Sequence, residues 1–157
     1  MAKLSKIATD TDKASEGQWV EYCPAIDKDE PALEFKIARL GNPAYNQRLQ
    51  SLVRPHRRKV RAGFESELEP FVKQAVAECC LVDWRGMQTD DGKSIKYSKK
   101  TSLEILTDPR YSDVYDFILD FASDAAIYRE MTIEDSAENS RSSLNGASPT
   151  GATKKSG

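Results

Sequence analysis

The segment that constrains the fold most lies in the middle of the chain, where a helical pattern meets a turn. Apolar residues recur there at helical spacing: Leu68, Phe71, Val72, Ala75, Val76 and Cys79. This pattern predicts a helix that ends near Val82. Asp83-Trp84-Arg85-Gly86 follows, and Gly86 permits a turn because glycine has no Cβ. Trp84 is interpreted as a core residue at the end of the helix or, alternatively, as an anchor for a partner.

The residues around this segment predict three further helices. Asn42 and Pro43 favour a helix start, because asparagine caps free amide groups and proline fits the first helical position. Another helix spans about Ser98 to Leu106. The last begins at Asp108-Pro109 and keeps one apolar face for about five turns. That face comprises Tyr111, Val114, Tyr115, Ile118, Phe121, Ala122 and Ala125.

Two strands precede these helices. Gln18 to Cys23 is rich in aromatic and β-branched residues, and Leu33 to Ile37 alternates apolar and charged residues. The connection 24–31 is too long for a tight two-residue turn. The predicted fold class is therefore α+β, mainly α. An N-terminal antiparallel β-hairpin at 17–40 is followed by about four helices over 42–135.

The two ends of the chain are too polar to add to the core. Residues 1–16 are small and polar and are predicted to be a flexible N-terminus. Residues 136–157 cannot bury enough apolar surface to offset the entropy of ordering, which predicts a disordered C-terminal tail. We therefore expect disordered termini around a single globular domain, residues 17–135.

The residue types that most often catalyse reactions or bind metals are scarce. His56 is the only histidine, and it lies in a cationic run, where a solvated surface histidine is favoured over a catalytic base. Cys79 and Cys80 lack the spacing of a metal site and are expected to be buried. Asp90-Asp91-Gly92 lacks the alternating oxygen ligands of a calcium loop, which favours a turn. We expect no catalytic residue, no metal site and no cofactor, and therefore no enzyme.

The sequence predicts neither secretion nor insertion into a membrane. The N-terminus has no apolar run of the signal-peptide type, and no stretch approaches the ~20 apolar residues that span a bilayer. The three cysteines are an odd number, which does not fit a disulfide framework. These features predict a cytosolic protein with reduced thiols.

Charge is divided unevenly along the chain, although the net charge is only −2. Between Phe35 and Phe64 there are eight basic residues and no acidic one. Between Leu103 and Glu138 there are ten acidic residues and two arginines. Opposed poles of this kind let a chain close on itself, stack head to tail as a homo-oligomer, or bind partners at each end. The sequence does not choose among these three.

The basic pole is one candidate for contact with a partner. Its densest part holds five cations: Arg54, Arg57, Arg58, Lys59 and Arg61. A solvated or partner-facing surface is favoured, with nucleic acid as the lesser alternative. The chain is not basic overall, and no aromatic residue lies within the run to stack on bases.

The acidic pole gives a second candidate surface. Four aspartates form a stripe opposite the apolar face of the last helix: Asp113, Asp116, Asp120 and Asp124. A solvent face is the simpler interpretation, but solvated helices usually mix their charges, so a basic partner is the alternative. Ile127 lies on this polar side as a lone apolar residue.

Short motifs follow one another in a definite order over residues 18–140. They are Trp19-Val20, Phe35-Lys36-Ile37-Ala38-Arg39, Gly41-Asn42-Pro43-Ala44-Tyr45, Trp84-Arg85-Gly86, Asp91-Gly92, Tyr97-Ser98, Leu106 with Asp108-Pro109, Phe117-Ile118 and Asn139-Ser140. In this order they resemble the tail assembly chaperones of long-tailed bacteriophages, especially siphophages.

The resemblance implies a non-enzymatic protein. Such chaperones coat the long tape measure protein, keep it soluble and help recruit tail tube protein as the tube polymerises. Many also have a longer, frameshifted form, which is a route to the tail tube protein. The resemblance implies work in the host cytoplasm and absence from the mature virion. A minor virion structural or connector protein and a small nucleic-acid-binding regulator are the alternatives.

Overall fold

A computed structural model describes residues 3–58 and 67–129. Its helices are α1 (Leu4–Ile7), α2 (Thr11–Glu16), α3 (Pro43–Val53), α4 (Glu69–Cys79), α5 (Lys99–Thr107) and α6 (Ser112–Ser123). Its strands are β1 (Gln18–Cys23), β2 (Leu33–Ile37) and β3 (Leu81–Arg85). Short 3-10 turns cover Arg54–His56, Pro109–Tyr111 and Ala125–Tyr128. The predicted class, α+β and mainly α, is confirmed.

The strand β2 joins the other two strands into one sheet. Within the described residues the order is β1-β2-β3, and both pairs are antiparallel. Val20 lies opposite Phe35, which lies opposite Trp84, so one face carries an apolar row across all three strands. This row packs with helical residues in one core, among them Tyr45, Ala75, Val76, Leu106, Tyr115, Ile118 and Ala122. Each outer strand also contains one register shift relative to β2.

The predicted hairpin of β1 and β2 is confirmed, but the helix predicted to reach Val82 is wrong at its end. Helix α4 ends at Cys79, and the chain continues as β3. The edge of β2 offers backbone groups that need partners, and valine and tryptophan favour strands. The backbone N–H of Ala38 also donates to the carbonyl of Cys80, at 2.7 Å. Helical periodicity is a local signal and does not contain this long-range pairing.

Asn42 ties the start of α3 to the end of α4. Its Oδ1 accepts a hydrogen bond from the backbone N–H of Tyr45 at 3.0 Å, which is the predicted cap. Its Nδ2 donates to the carbonyls of Arg39 at 2.7 Å and of Cys79 at 3.2 Å. Asn42 is buried, so each of these bonds satisfies a polar group that water does not reach.

The last two predicted helices are present with adjusted ends. Ser98 caps α5, because its Oγ accepts from the backbone N–H of Thr101 at 3.0 Å. Asp108 accepts from the backbone N–H of Arg110 at 3.0 Å, as expected of a cap. The residues after it form a 3-10 turn, however, and α6 begins only at Ser112.

The compact unit that contains the sheet runs from Asp10 to Tyr128. It begins before the predicted boundary at residue 17, because α2 belongs to it. The Asp10 carboxylate caps α2, and Ala14 is buried with its carbonyl bonded to the N–H of Arg39 at 2.8 Å. Residues 11–16, expected to be flexible, are therefore helical. Residues 130–135 and the predicted tail 136–157 lie outside the described residues.

Among the described residues, 3–9 and 129 belong to a second unit. Helix α1 lies in it, and the side chains of Leu4 and Ile7 are exposed. Thr9 and Arg129 pair as an isolated antiparallel bridge.

Gly86 makes the turn after β3 possible. Its φ is +85°, and a Cβ placed there would lie 1.9 Å from the carbonyl oxygen of Ala32. Gly92 has nearly the same φ, +84°, but a Cβ there would meet nothing within 4 Å. Substitution of each glycine by alanine therefore distinguishes the cost of a positive φ from the cost of a steric clash.

We predict that Asn42→Ala lowers the free energy of unfolding by about 2–3 kcal/mol. It removes a helix cap and leaves the carbonyl of Cys79 without the donor that Asn42 supplies. Urea denaturation monitored by circular dichroism measures the change. The control is Gln50→Ala on the exposed part of the same helix, expected within about 0.5 kcal/mol of the wild type. Equal losses for the two variants would contradict the role given to Asn42.

We predict that Gly86→Ala destabilises the fold by about 3 kcal/mol or more, because the backbone around Ala32 must move. Gly92→Ala should destabilise the fold by only about 1–2 kcal/mol, which is the cost of a positive φ for a residue with a Cβ. Thermal unfolding of both variants gives the comparison. A Gly92 variant as unstable as the Gly86 variant would show that the close approach to Ala32 does not matter.

Candidate partner-binding site

The densest part of the basic pole is exposed where the structure describes it. Arg54, Arg57 and Arg58 are all exposed, in and directly after the 3-10 turn that follows α3. Within the described residues these three arginines take part in no ion pair. The His56 ring stacks on the Phe71 ring, with centroids 5.0 Å apart, which fixes this turn against α4. Lys59 and Arg61 lie outside the described residues.

The acidic stripe is only partly a helical face. Asp113, Asp116 and Asp120 are exposed on α6, opposite its buried residues. Asp124 is exposed but lies beyond the last helical residue, where its Oδ1 accepts from the backbone N–H of Ala126 at 3.0 Å. Three of the four aspartates therefore share one face. Asp124 instead caps the 3-10 turn that follows.

Ile127 lies in that 3-10 turn and is partly buried, so it is less available than an isolated surface residue would be. Its neighbour Tyr128 is fully buried and donates a hydrogen bond from its hydroxyl to the carbonyl of Ile37, at 2.8 Å. The turn is thereby attached to β2.

Trp84 belongs to the interior of the protein. Only 5% of it is exposed, and its indole N–H donates to the carbonyl of Ile95 at 2.7 Å. The Tyr97 ring meets it edge-on, with centroids 5.0 Å apart. The core interpretation of Trp84 therefore fits the structure, although its element is a strand and not a helix end.

The other tryptophan is the accessible one. Trp19 is 37% exposed on β1, and the guanidinium carbon of Arg85 lies 4.0 Å from the centre of its ring. Arg85 also forms an ion pair with Glu34, and this hydrogen bond holds the pKa of the Glu34 carboxyl below its ordinary value. The pairing of β1, β2 and β3 brings these three residues together. Their sequence positions alone gave no sign of the cluster.

A cleft of about 610 Å³ lies between the β1–β2 loop and the turn after β3. Its apolar lining is Pro24, Ile26, Pro31, Leu33 and Met87, and its acidic lining is Asp29, Glu30 and Asp90. None of the described residues that line it is lysine or arginine. Sequence reasoning missed this cleft because its two walls meet only when β3 pairs with β2. The acidic composition of the 24–31 loop was the one available signal.

The two buried cysteines are poor nucleophiles, because their thiols stay protonated. Burial raises the pKa of the Cys80 thiol to about 12 and also raises the pKa of Cys79. Both thiols therefore stay protonated near neutral pH, and their predicted burial is confirmed. Cys23 is exposed at the end of β1.

The described residues contain no group of three or more histidine, cysteine, aspartate or glutamate side chains placed to hold a metal ion. In the same residues, no helix is both long and apolar enough to cross a bilayer. The surfaces that the structure does offer are the basic pole, the aspartate face of α6 and the acidic cleft.

Comparison with known protein families gives a match over much of the chain. The family model of the YdaY prophage protein matches residues 40–139. No curated protein and no solved structure matches the chain. The matched segment covers more than half of the 157 residues and includes α3 to α6 and β3. The chain is therefore of phage origin and belongs to the YdaY prophage protein family.

Proposed function

We propose that this protein is a phage tail assembly chaperone. In this role it binds the tape measure protein, keeps it soluble and helps recruit tail tube protein while the tail is built. It performs no bond-making chemistry, acts in the host cytoplasm and is absent from the mature virion.

The observation that carries this proposal is the ordered set of motifs, which resembles that of tail assembly chaperones and is found in a chain of prophage origin. Most of these motifs fall within the matched residues 40–139. Several also lie at junctions of the fold. Asn42 caps α3, Gly86 turns the chain after β3, and Asp108 caps the turn before α6. These positions indicate that the motifs shape the fold; the role itself rests on the resemblance, because a fold alone does not define a function.

The exposed surface supports the proposal physically. Exposed charges can orient contacts with a client through electrostatic complementarity. Arg54, Arg57 and Arg58 of the basic pole and the aspartates of α6 are exposed charges on separate elements. They offer complementary contacts to the charged faces of an amphipathic client helix. The proposed client contacts are thus Arg54, Arg57, Arg58, Asp113, Asp116 and Asp120.

Co-expression with the tape measure protein encoded by the same phage tests the proposal. We predict that the client moves from the insoluble to the soluble fraction and co-purifies with this protein. The control is Asn42→Ala, which should lose the effect together with stability. If the client stays insoluble and no complex is recovered, the chaperone role is wrong.

Mass spectrometry of purified virions separates a chaperone from a structural protein. An assembly chaperone is released, so we expect its peptides in infected-cell lysate and not in particles. A stoichiometric signal in particles would favour a minor structural or connector protein of the tail.

Binding of nucleic acid is the second candidate, because Arg54, Arg57 and Arg58 are exposed and unpaired within the described residues. We predict no gel shift with duplex DNA or single-stranded RNA even at low salt, where phosphate contacts are strongest. A shift that disappears in Arg57→Gln/Arg58→Gln but persists in Lys96→Gln/Lys100→Gln would establish the regulator instead.

A further inference from the structure

The walls of the acidic cleft are held in place by contacts already described for the sheet. Gly86 lies close to the carbonyl of Ala32, so the start of the turn after β3 and the end of the β1–β2 loop are adjacent. The backbone N–H of Ile95 donates to the carbonyl of Met87 at 2.9 Å, and Gln88 pairs with Ser94. The turn after β3 is therefore a short hairpin bonded to itself. This wall of the cleft therefore does not have to be ordered when a ligand binds.

The lining of the cleft favours a ligand that is both positively charged and partly apolar. Asp29, Glu30 and Asp90 supply carboxylates, and Ile26 presents an apolar side chain that is 85% exposed. Within the described residues, none of these carboxylates takes part in an ion pair. An occupant with closely spaced cations and a compact apolar residue would satisfy both features.

The chain itself carries such a segment. Arg54-Pro55-His56-Arg57-Arg58 is exposed along its whole length, with three arginines around a proline. Its arginines do not pair with the cleft carboxylates of the same molecule. Each copy thus has two surfaces of opposite charge, the cleft and the Arg54–Arg58 segment, which form no ion pair with each other within one molecule.

We propose that the cleft of one copy binds the Arg54–Arg58 segment of a second copy. The two surfaces differ, so the contact is head-to-tail and can repeat into rings or open chains. One small, charged contact gives weak association that is strongest at low salt. This proposal does not rest on the chaperone function, because it concerns two copies of this chain and no client.

Sedimentation velocity over a wide range of protein concentration, at low and high salt, tests the contact. We expect the average mass of the wild type to rise with concentration at low salt and to fall as salt is added. Two variants each remove one side of the contact: Asp29→Asn/Glu30→Gln in the cleft and Arg57→Gln/Arg58→Gln in the segment. Each should raise the dissociation constant at least about tenfold.

Mixing the two variants gives the sharper result. The intact segment of the cleft variant fits the intact cleft of the segment variant, so one contact re-forms. The mixture should give a complex of one copy of each variant that does not grow further. Neither variant on its own should give this species.

Matched controls change the same charges elsewhere on the surface. Glu67→Gln/Glu104→Gln and Lys96→Gln/Lys100→Gln replace exposed residues outside the cleft and the segment, and should associate like the wild type. All substituted residues are exposed, and thermal unfolding verifies that each variant is folded. A wild type that stays monomeric at low salt, controls that dissociate as fully as the test variants, or a mixture without a complex would each overturn the proposal.

Discussion

The pairing of β2 with β3 is the interaction on which the rest of the structure depends. It places Phe35 opposite Trp84 in the apolar row that faces the helices. It also brings the start of β2 beside the end of β3, where Gly86 meets Ala32. The core and the acidic cleft are thus two results of the same strand pairing. Removing it would expose the apolar row and separate the walls of the cleft.

Local sequence signals predicted much of the fold, and long-range pairing accounts for most of what they missed. The caps at Asn42, Ser98 and Asp108 are local features, and the structure has all three. β3 was not predicted, because residues before it have a helical period and its partners in β2 lie 44 to 51 positions earlier. Helix α2 was also missed, since its stability comes from burial of Ala14 and a bond to Arg39 and not from periodicity.

In the candidate site, too, local sequence signals predicted some features and missed those that depend on long-range contacts. The exposure of Arg57 and of Asp116 follows from charge and helical spacing, which the sequence contains. Whether a tryptophan is buried or exposed does not follow from the residues next to it in the sequence. Trp84 is buried by β2 and the hairpin after β3, while Trp19 remains accessible beside Arg85. The cleft required both loops in their folded positions, so it could be found only in three dimensions.

The register shifts of the sheet have a consequence for how this protein meets other chains. Both extra residues lie on outer strands: Tyr22 in β1, between Glu21 and Cys23, and Val82 in β3. A bulge twists an outer strand and interrupts the regular row of amide and carbonyl groups that a foreign strand would need. The sheet is therefore a poor seed for fibril growth even in a crowded pool of identical copies. Recognition between molecules is left to side chains, whose charges salt and sequence can tune.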